Sequence, residues 1–458
     1  MRISGVTLWH VSVPLPAPFY PAWIPGLPQN ANHFTLVRIR TAGGLEGWSA
    51  GPAMGHERSG LGDLLGPYLL GERADDLASI RQRLREMSYL GWHVGWLEAA
   101  CWDLLGKARG VPVYKLLGGE PGRVQLYAST GEVKDGKARV AELEARRKEG
   151  FEAAKLRVHQ ATLEADLEQI ETARRAMGEG FAMGIDANQG WRVAMVADAP
   201  LWDLERALRF ADRAAELGYL WLEEPLQADD YDAMAALRAR TGIAIAGNEI
   251  NHVGLPEVRV MLEKRSLDVY QPDAVFAGGI AETWRMVEAI AAAGARYTPH
   301  TWTNGIGFAI NLQLFAASPW RADTLLEYPF SPPGWLPQYR DGLLEKPWLH
   351  DRGWLELPTT PGLGFEIDAG QLARHGRRFF NGTGFSIAVR AVLDRGIKTA
   401  REVGAVRATR LAQRSAALDK ASGAGEDLLA PFCPRVTAAV RASWKLEDAV
   451  AALPPRAG

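Results

Sequence analysis

The sequence predicts an α/β protein: a barrel of alternating strands and helices, with an α+β domain before it and a helical extension after it. Three observations predict this. From Val124 onward, short apolar runs alternate with amphipathic stretches, the rhythm of βα units on a parallel sheet. Eight such runs fall within about 200 residues, which fits a closed (β/α)8-type barrel. Polar residues gather at the ends of those runs. A doubly wound open sheet is the alternative. It usually has fewer strands, and no Gly-x-Gly-x-x-Gly opens the first unit here.

Taken in order, Phe34–Arg40 and Leu45–Ala50 read as two strands joined by the turn Ala42-Gly43-Gly44. Before them, Pro14–Pro28 is rich in proline and carries Phe19, Tyr20 and Trp23. It cannot be a helix and is too apolar for a solvated linker. It is either a loop that folds over a ligand or one pinned to the domain surface. Leu97, Ala100, Cys101, Leu104, Leu105 and Ala108 form one buried helix face, stopped by Gly110 and Pro112. Cys101 belongs to that stripe, which makes it a core residue rather than a nucleophile.

The eight runs are Val124–Thr130, Ala153–His159, Ala182–Asn188, Tyr219–Pro225, Ile243–Glu249, Asp268–Ala274, Ala295–Thr301 and Thr324–Phe330. The pattern breaks at Ser331-Pro332-Pro333-Gly334 and stays loop-rich to about residue 370. Residues 376–458 read as mostly helical, with Ala and Arg abundant over Ile387–Leu418 and a flexible break at Gly423-Ala424-Gly425. No chemistry is assigned to this tail.

Composition narrows the function. The 458 residues are 47% apolar and 23% charged, with a formal net charge of -2, so a nucleic-acid or membrane-surface partner has no support. Two cysteines, Cys101 and Cys433, cannot build a disulfide framework or a thiolate zinc site. With no signal-peptide pattern at the N-terminus and no membrane-length apolar run, a reducing cytoplasm is the expected setting.

The chemistry lies at the run ends. Lys155 and Arg157 stand on the second run, Asp186 and Asn188 on the third, and Glu223 and Glu224 on the fourth. Glu249, Asp273, His300 and Glu327 follow on the fifth to eighth. A barrel brings all carboxyl ends of its strands to one face. So many buried charges are costly unless compensated. The natural compensation is a cation. Asp186, Glu223 and Glu249 on three adjacent strands can share one, and hard carboxylate oxygens suit Mg²⁺, with Mn²⁺ second. Asn188 shares the strand face of Asp186 and supports the metal or its water, whereas Glu224 points the other way.

Asp273 beside His300 orients the imidazole and raises its basicity, giving a general base or acid. Lys155 and Arg157 share a face, and both can bind an anionic substrate group. Lys155 exchanges a proton only if its neighbours depress its pKa. His159 is read as a loop residue. Gly278-Gly279 and Gly305-Ile306-Gly307 are read mainly as strand-to-helix turns.

These motifs resemble the enolase superfamily, in particular its mandelate racemase-like subgroup. The resemblance is carried by Lys155-Leu156-Arg157, Asp186-Ala187-Asn188, Leu222-Glu223-Glu224-Pro225, Gly247-Asn248-Glu249, Gln271-Pro272-Asp273, Pro299-His300-Thr301 and Leu326-Glu327. Trp102-Asp103-Leu104-Leu105-Gly106-Lys107 and Pro361-Gly362-Leu363-Gly364 add to it outside the site. It implies a capping domain over 1–123, a modified TIM barrel of (β/α)7β form over 124–345, and a segment returning to the cap over 346–375. A helical extension over 376–458 is longer than the family pattern. The resemblance also implies Mg²⁺ on Asp186, Glu223 and Glu249, a His300–Asp273 base, Glu327 near the substrate carboxylate, and a homo-oligomer. Cap loops near Phe19–Pro28 and Gly51–Glu57 would set specificity.

One departure matters. Arg157 stands where the family's racemases place a lysine base, and arginine stays protonated at neutral pH. With one base, the expected reaction is removal of the proton next to a carboxylate followed by loss of water. The substrate class is an acid sugar and the product a 2-keto-3-deoxy acid. In that scheme a protonated Glu327 would donate a hydrogen bond to the enediolate, and Arg157 would orient the substrate or its leaving hydroxyl. A racemase or epimerase using Lys155 as the second base is the first alternative. A metal-binding relative without catalysis is the second.

Overall fold

The computed structural model describes residues 1–191, 195–196 and 201–423; Cys433 and the end of the extension lie outside them. The cap comprises β1 (Ile3–Phe19), β2 (Gln29–Thr41) and β3 (Glu46–Pro52), then α1 (Leu61–Leu69), α2 (Leu77–Ser88), α3 (Ala99–Arg109) and α4 (Val113–Leu116). The two expected strands are β2 and β3. The strand not expected is β1, which continues through Pro14, Pro16 and Pro18. Proline breaks a central strand because it has no N–H to give. Here the neighbour on one side stops opposite Val11, and pairing with β2 loses register between Pro14 and Phe19, so the prolines lie where no ladder bond is needed.

The second unit runs β4 (Arg123–Ser129), α5 (Gly136–Lys148), β5 (Ala153–Arg157), α6 (Leu163–Met177), β6 (Ala182–Asp186), α7 (Leu204–Glu216), β7 (Trp221–Glu223) and α8 (Tyr231–Arg240). It continues β8 (Ala244–Gly247), α9 (Leu255–Lys264), β9 (Val269–Tyr270), α10 (Ile280–Ala292), β10 (Arg296–Tyr297), α11 (Gly305–Ala317) and β11 (Leu326–Pro329). Strands β4 to β10 pair in parallel in chain order, and β11 pairs in parallel with β4. This is a barrel-like (β/α)7β arrangement. At the seam between β10 and β11, Thr298 Oγ1 donates to the carbonyl of Leu325 at 2.8 Å.

Each of the eight expected runs contains a strand, but the strands are shorter than the runs; β9 and β10 have two residues each. Asn188, Glu249, Asp273 and His300 therefore lie just past the strands and not on them.

The chain then forms α12 (Pro337–Arg340), β12 (Trp354–Glu356), α13 (Ala369–His375), β13 (Gly376–Thr383) and α14 (Gly384–Gly423). The stretch expected to be mostly helical from residue 376 thus opens with a strand. It pairs antiparallel with β1 and gives the cap sheet the order β13-β1-β2-β3. Its sequence, Gly-Arg-Arg-Phe-Phe-Asn-Gly-Thr, has little strand propensity; the open edge of β1 decides. α14 is broken at Gly396 (φ 78°, ψ 158°), which glycine adopts without steric cost. It lies along the cap, with Arg410 on Glu72 at 2.6 Å, Arg414 on Asp76 at 2.6 Å, and Arg390 paired with Asp63.

Two buried acids tie the layers together. Asp103 on α3 accepts from Trp48 N (3.0 Å), Lys107 Nζ (2.8 Å) and, in the returning segment, Leu363 N (2.9 Å). Glu98, just before α3, accepts from Ala281 N at the start of α10 at 3.0 Å. A Cβ on Gly95 would lie 2.3 Å from Gly278, so cap and barrel backbones touch there. Gly278 and Gly279 make that turn at φ 101° and 95°. Cys101 is fully buried, in keeping with a core role.

Candidate active site

The short strands explain how the acidic side chains converge. Asp186 and Glu223 are the last residues of β6 and β7, and Glu249 follows β8 by two. At each of these ends the backbone turns through a left-handed residue: Asn188 (φ 48°), Glu224 (φ 45°) and Asn248 (φ 72°). Non-glycine residues rarely adopt this region, and strain of this kind marks sites that fix side-chain direction. The result is that one oxygen from each of Asp186, Glu223 and Glu249 lies within 4.8 Å of the others, all buried. Glu249 Oε2 is buried without a hydrogen-bond partner, an acceptor left open toward a cation. All-oxygen donors at this spacing fit a hard divalent ion.

The nine site residues predicted from sequence form one connected network. Lys155 Nζ pairs with Glu223, with Glu327 at 2.7 Å and with Asp186 at 3.4 Å. Arg157 Nη1 pairs with Asp186 and donates to Asn188 Oδ1 at 3.2 Å, and its Nε donates to the Thr130 carbonyl at 2.7 Å. His300 Nδ1 stands 3.0 Å from Asp273 Oδ2, and His300 Nε2 is 3.5 Å from Glu249 Oε2.

Electrostatics divides the group. Burial acts against the charge on Asp186, but Arg157 and Lys155 overcome it and hold its pKa low. Burial pushes Glu223 up to about 8, and Asp186 and Glu327 nearby add to this despite Lys155. Burial also raises Glu249. For His300 burial favours the neutral ring, yet Glu249 and Asp273 raise it to about 9. An acid excess of this kind is what a bound cation would relieve.

Two role expectations carried a condition on ionisation, and without a bound cation neither condition is met. Lys155 was to exchange a proton if its neighbours depressed its pKa; they raise it, because Glu223, Glu327 and Asp186 outweigh burial. Glu327 was to donate if protonated. Instead burial is overcome by Lys155 and His300, which hold it at about 2. Both its oxygens are taken by donors: Ser129 Oγ (2.8 Å) and Lys155 on one, Thr301 N (2.6 Å) on the other. Glu327 is an acceptor that positions Lys155. Glu224 is buried under Gly190 and is not among the converging acids; burial, with Glu249, Asp186 and Glu223 near it, raises its pKa well above the carboxylate range.

The network opens into a cavity of about 580 Å³ between cap and barrel, lined by Arg157, Asn188, Glu249 and His300 on the barrel side. Trp23, Ile24, Leu27 and Pro28 line it from the cap. Of Pro14–Pro28, the part to Phe19 is strand and not loop, and the remainder lies where both readings place it. It covers the cavity, and it is pinned to the barrel by Ala22 N on the Gly131 carbonyl (2.9 Å) and by His159 Nδ1 against the Ala22 carbonyl (3.0 Å).

Sequence reading missed the aromatic wall. Phe19, Trp23, Trp302 and Trp335 form a separate apolar cluster, and the Arg157 guanidinium lies 5.2 Å from the Trp23 ring and 5.6 Å from that of Trp302. Trp302 Nε1 also donates to Ser129 Oγ at 2.7 Å. These residues come from distant segments, so no local signal links them. Gln271 and Trp221, which donate to Glu223 Oε2 at 2.8 and 3.1 Å, were legible in principle. Each lies two residues before a site acid, the spacing that keeps one strand face.

The fold and site define a capped α/β barrel-type enzyme with a buried acidic cluster that can hold a metal. Family comparison agrees. The mandelate racemase / muconate lactonizing enzyme N-terminal domain matches residues 6–118, and the enolase C-terminal domain-like family matches residues 138–371. Arabinonate dehydratase of Saccharolobus solfataricus is 28% identical over 76% of this chain and 91% of its own. D-galactarolactone cycloisomerase of Agrobacterium fabrum is 29% identical over 80% of this chain and 97% of its own. A crystal structure of an L-talarate/galactarate dehydratase variant with Mg and L-glucarate superposes with a TM-score of 0.69 at 25% identity, covering 83% of this chain and 93% of that one. The chain belongs to the enolase superfamily, in its mandelate racemase-like subgroup.

Proposed function

We propose that this enzyme uses Mg²⁺ to remove the proton next to the carboxylate of an acid sugar and then expels water, giving a 2-keto-3-deoxy acid. The observation that carries the reading is an asymmetry of bases. His300, oriented by Asp273, faces the cavity and is freed as a base once a cation offsets the carboxylates that raise it, while Arg157, in the position of a second base, stays protonated at neutral pH. A racemase needs a base on each face of the carbanion; elimination needs one.

When bound by Asp186, Glu223 and Glu249, a divalent cation supplies positive charge that stabilises the carboxylate oxygens as the proton leaves. Lys155 adds positive charge beside those oxygens, positioned by Glu327. His300 Nε2 accepts the α-proton, and the C–H electrons form the C=C bond as the β-C–O bond breaks. The departing hydroxyl takes a proton from the imidazolium and leaves as water, and the enol becomes the keto acid. Arg157 holds the substrate through Nη2, which is buried without a partner. The indoles of Trp23 and Trp302 keep water from that cation.

The dehydratase relatives support this reading; the cycloisomerase relative keeps isomerisation as the second one. The test is incubation with Mg²⁺ and a broad panel of sugar acids, assayed for 2-keto-3-deoxy acids. Deuterium uptake from heavy water without loss of water would favour the isomerase. Neither product nor exchange across the panel would leave a metal-binding protein without this catalysis.

A further inference from the structure

One cation facing the cavity belongs to no network. Arg58 lies in the cap between β3 and α1 and lines the same space as His300 and Arg157. Its Nε donates to the Pro52 carbonyl at 3.1 Å, and its guanidinium carbon is 5.9 Å from the Trp96 ring centroid. These contacts fix the group and leave Nη1 and Nη2 uncommitted. Among the described residues, no carboxylate oxygen lies within the 4.0 Å of an ion pair with it. Glu57, its neighbour in sequence, is exposed and turns one oxygen to the amide of Met54 at 3.0 Å.

Three fully buried arginines are treated differently. Arg139, Arg157 and Arg340 pair with Glu142, Asp186 and Asp341. A partly desolvated charge without an ion-pair contact is costly, and burial lowers the pKa of Arg58 although Glu57, which lines the same cavity, acts against this. A planar fork of donors suits an incoming anion with two oxygens. The substrate's reacting carboxylate belongs at the acidic cluster on the barrel side. Arg58 stands on the cap side of the same cavity.

We propose that Arg58 receives a second anionic group at the far end of the substrate, so that the enzyme selects dianionic acid sugars. This rests on the acid-sugar reading of the site. The far group is a carboxylate or a phosphate, and both present oxygens to the same fork.

The test compares hexaric acids, which carry a carboxylate at each end, with hexonic acids, which end in a hydroxyl, and with 6-phosphohexonic acids, over several stereoisomers. One dianionic class should exceed the hexonic acids in kcat/KM by about ten-fold or more, the size of a charge-assisted hydrogen bond. Which class does so identifies the far group. Arg58→Gln, checked for an unchanged thermal melt, should raise KM for that class by about ten-fold with little change in kcat, and leave hexonic acids unaffected. Equal use of all three classes would overturn the proposal, as would a loss that falls on all three alike.

Calorimetry with the Mg²⁺-loaded His300→Asn protein repeats the comparison without turnover. Absence of turnover on every acid sugar would defeat the dehydratase reading alone. Equal affinities for mono- and dianions in calorimetry would defeat the role of Arg58.

Discussion

Asn311 Nδ2 donates to Asp273 Oδ1 at 2.6 Å, on the carboxylate oxygen that does not face His300. The backbone of Val275 donates to that oxygen at 2.8 Å. Asp273 therefore cannot rotate freely, and His300 inherits its direction from α11, the helix that carries Asn311. Asn311→Leu should lower kcat by roughly ten-fold, with KM and Mg²⁺ affinity little changed, since it removes one of the two hydrogen bonds on that oxygen, and a bond to a charged group is worth about 1.5–3 kcal/mol. His300→Asn should fold normally and lose roughly 10²–10⁴ in rate, the usual worth of a general base. Steady-state kinetics on both variants decides; more than about a tenth of the wild-type rate in His300→Asn would remove it as the base.

Metal binding separates two adjacent glutamates. Asp186→Ala should abolish the calorimetric signal of Mg²⁺ binding, because it removes one of three converging oxygens. Glu224→Gln should keep it. Glu224 is not one of the converging acids, and burial with the nearby Glu249, Asp186 and Glu223 holds it neutral, so an amide is nearly isosteric with the acid. Loss of Mg²⁺ affinity in Glu224→Gln would mean that the ligand set is wrong.

Glu98 gives a pH signature. Burial at the junction of cap and barrel raises it from 4.5 to about 7, despite the hydrogen bond from Ala281. The folded protein then keeps a proton that the unfolded chain releases as pH rises from 4.5 to about 7, so this group's contribution to stability falls across that window and is level above it. The shift corresponds to about 3 kcal/mol. Glu98→Gln cannot lose a proton. In denaturant titrations its stability relative to wild type should therefore grow from pH 5 to pH 8. A constant difference would show that Glu98 does not titrate in this way.

The extension is held to the cap largely by charge. Besides Arg410, Arg414 and Arg390, Arg73 of the cap pairs with Asp419, and most of these groups are partly exposed. Apolar anchoring among the described residues comes from Leu411 against Gly71, Ile387 against Gly66 and the buried Leu418. Screened surface pairs weaken with salt. Amide exchange over residues 384–423 should accelerate between about 0.1 and 1 M NaCl while that of the barrel strands does not. Equal rates in both salts would point to apolar docking.

The fold was legible where its pattern is local. Short apolar runs such as Ala182–Asn188 and Tyr219–Pro225, spaced between amphipathic stretches, marked the strands, and barrel topology alone brings their ends together, which is why Asp186, Glu223 and Glu327 could be placed. The runs overstated strand length because the residues after β8, β9 and β10 keep only scattered bonds to their neighbours, such as Asp273 N to the Glu249 carbonyl at 3.3 Å, and no regular ladder. β13 was not legible, since Arg377, Arg378 and Asn381 carry no strand signal and the partner lies more than 360 residues earlier. The ionisation states of Lys155 and Glu327 were not legible either. They depend on the distances among buried charges, which sequence order does not contain.

The pairing of β13 with β1 has a consequence for biosynthesis. The cap sheet joins β1 to a strand more than 360 residues later, so it cannot be finished until the ribosome has delivered Thr383. The barrel strands emerge well before that and can assemble on the nascent chain, while β1 waits with an unpaired, apolar edge. Such an edge invites association with other chains. Slow elongation through the last barrel helices would lengthen that wait, and holding chaperones would find their target in the first twenty residues rather than in the barrel.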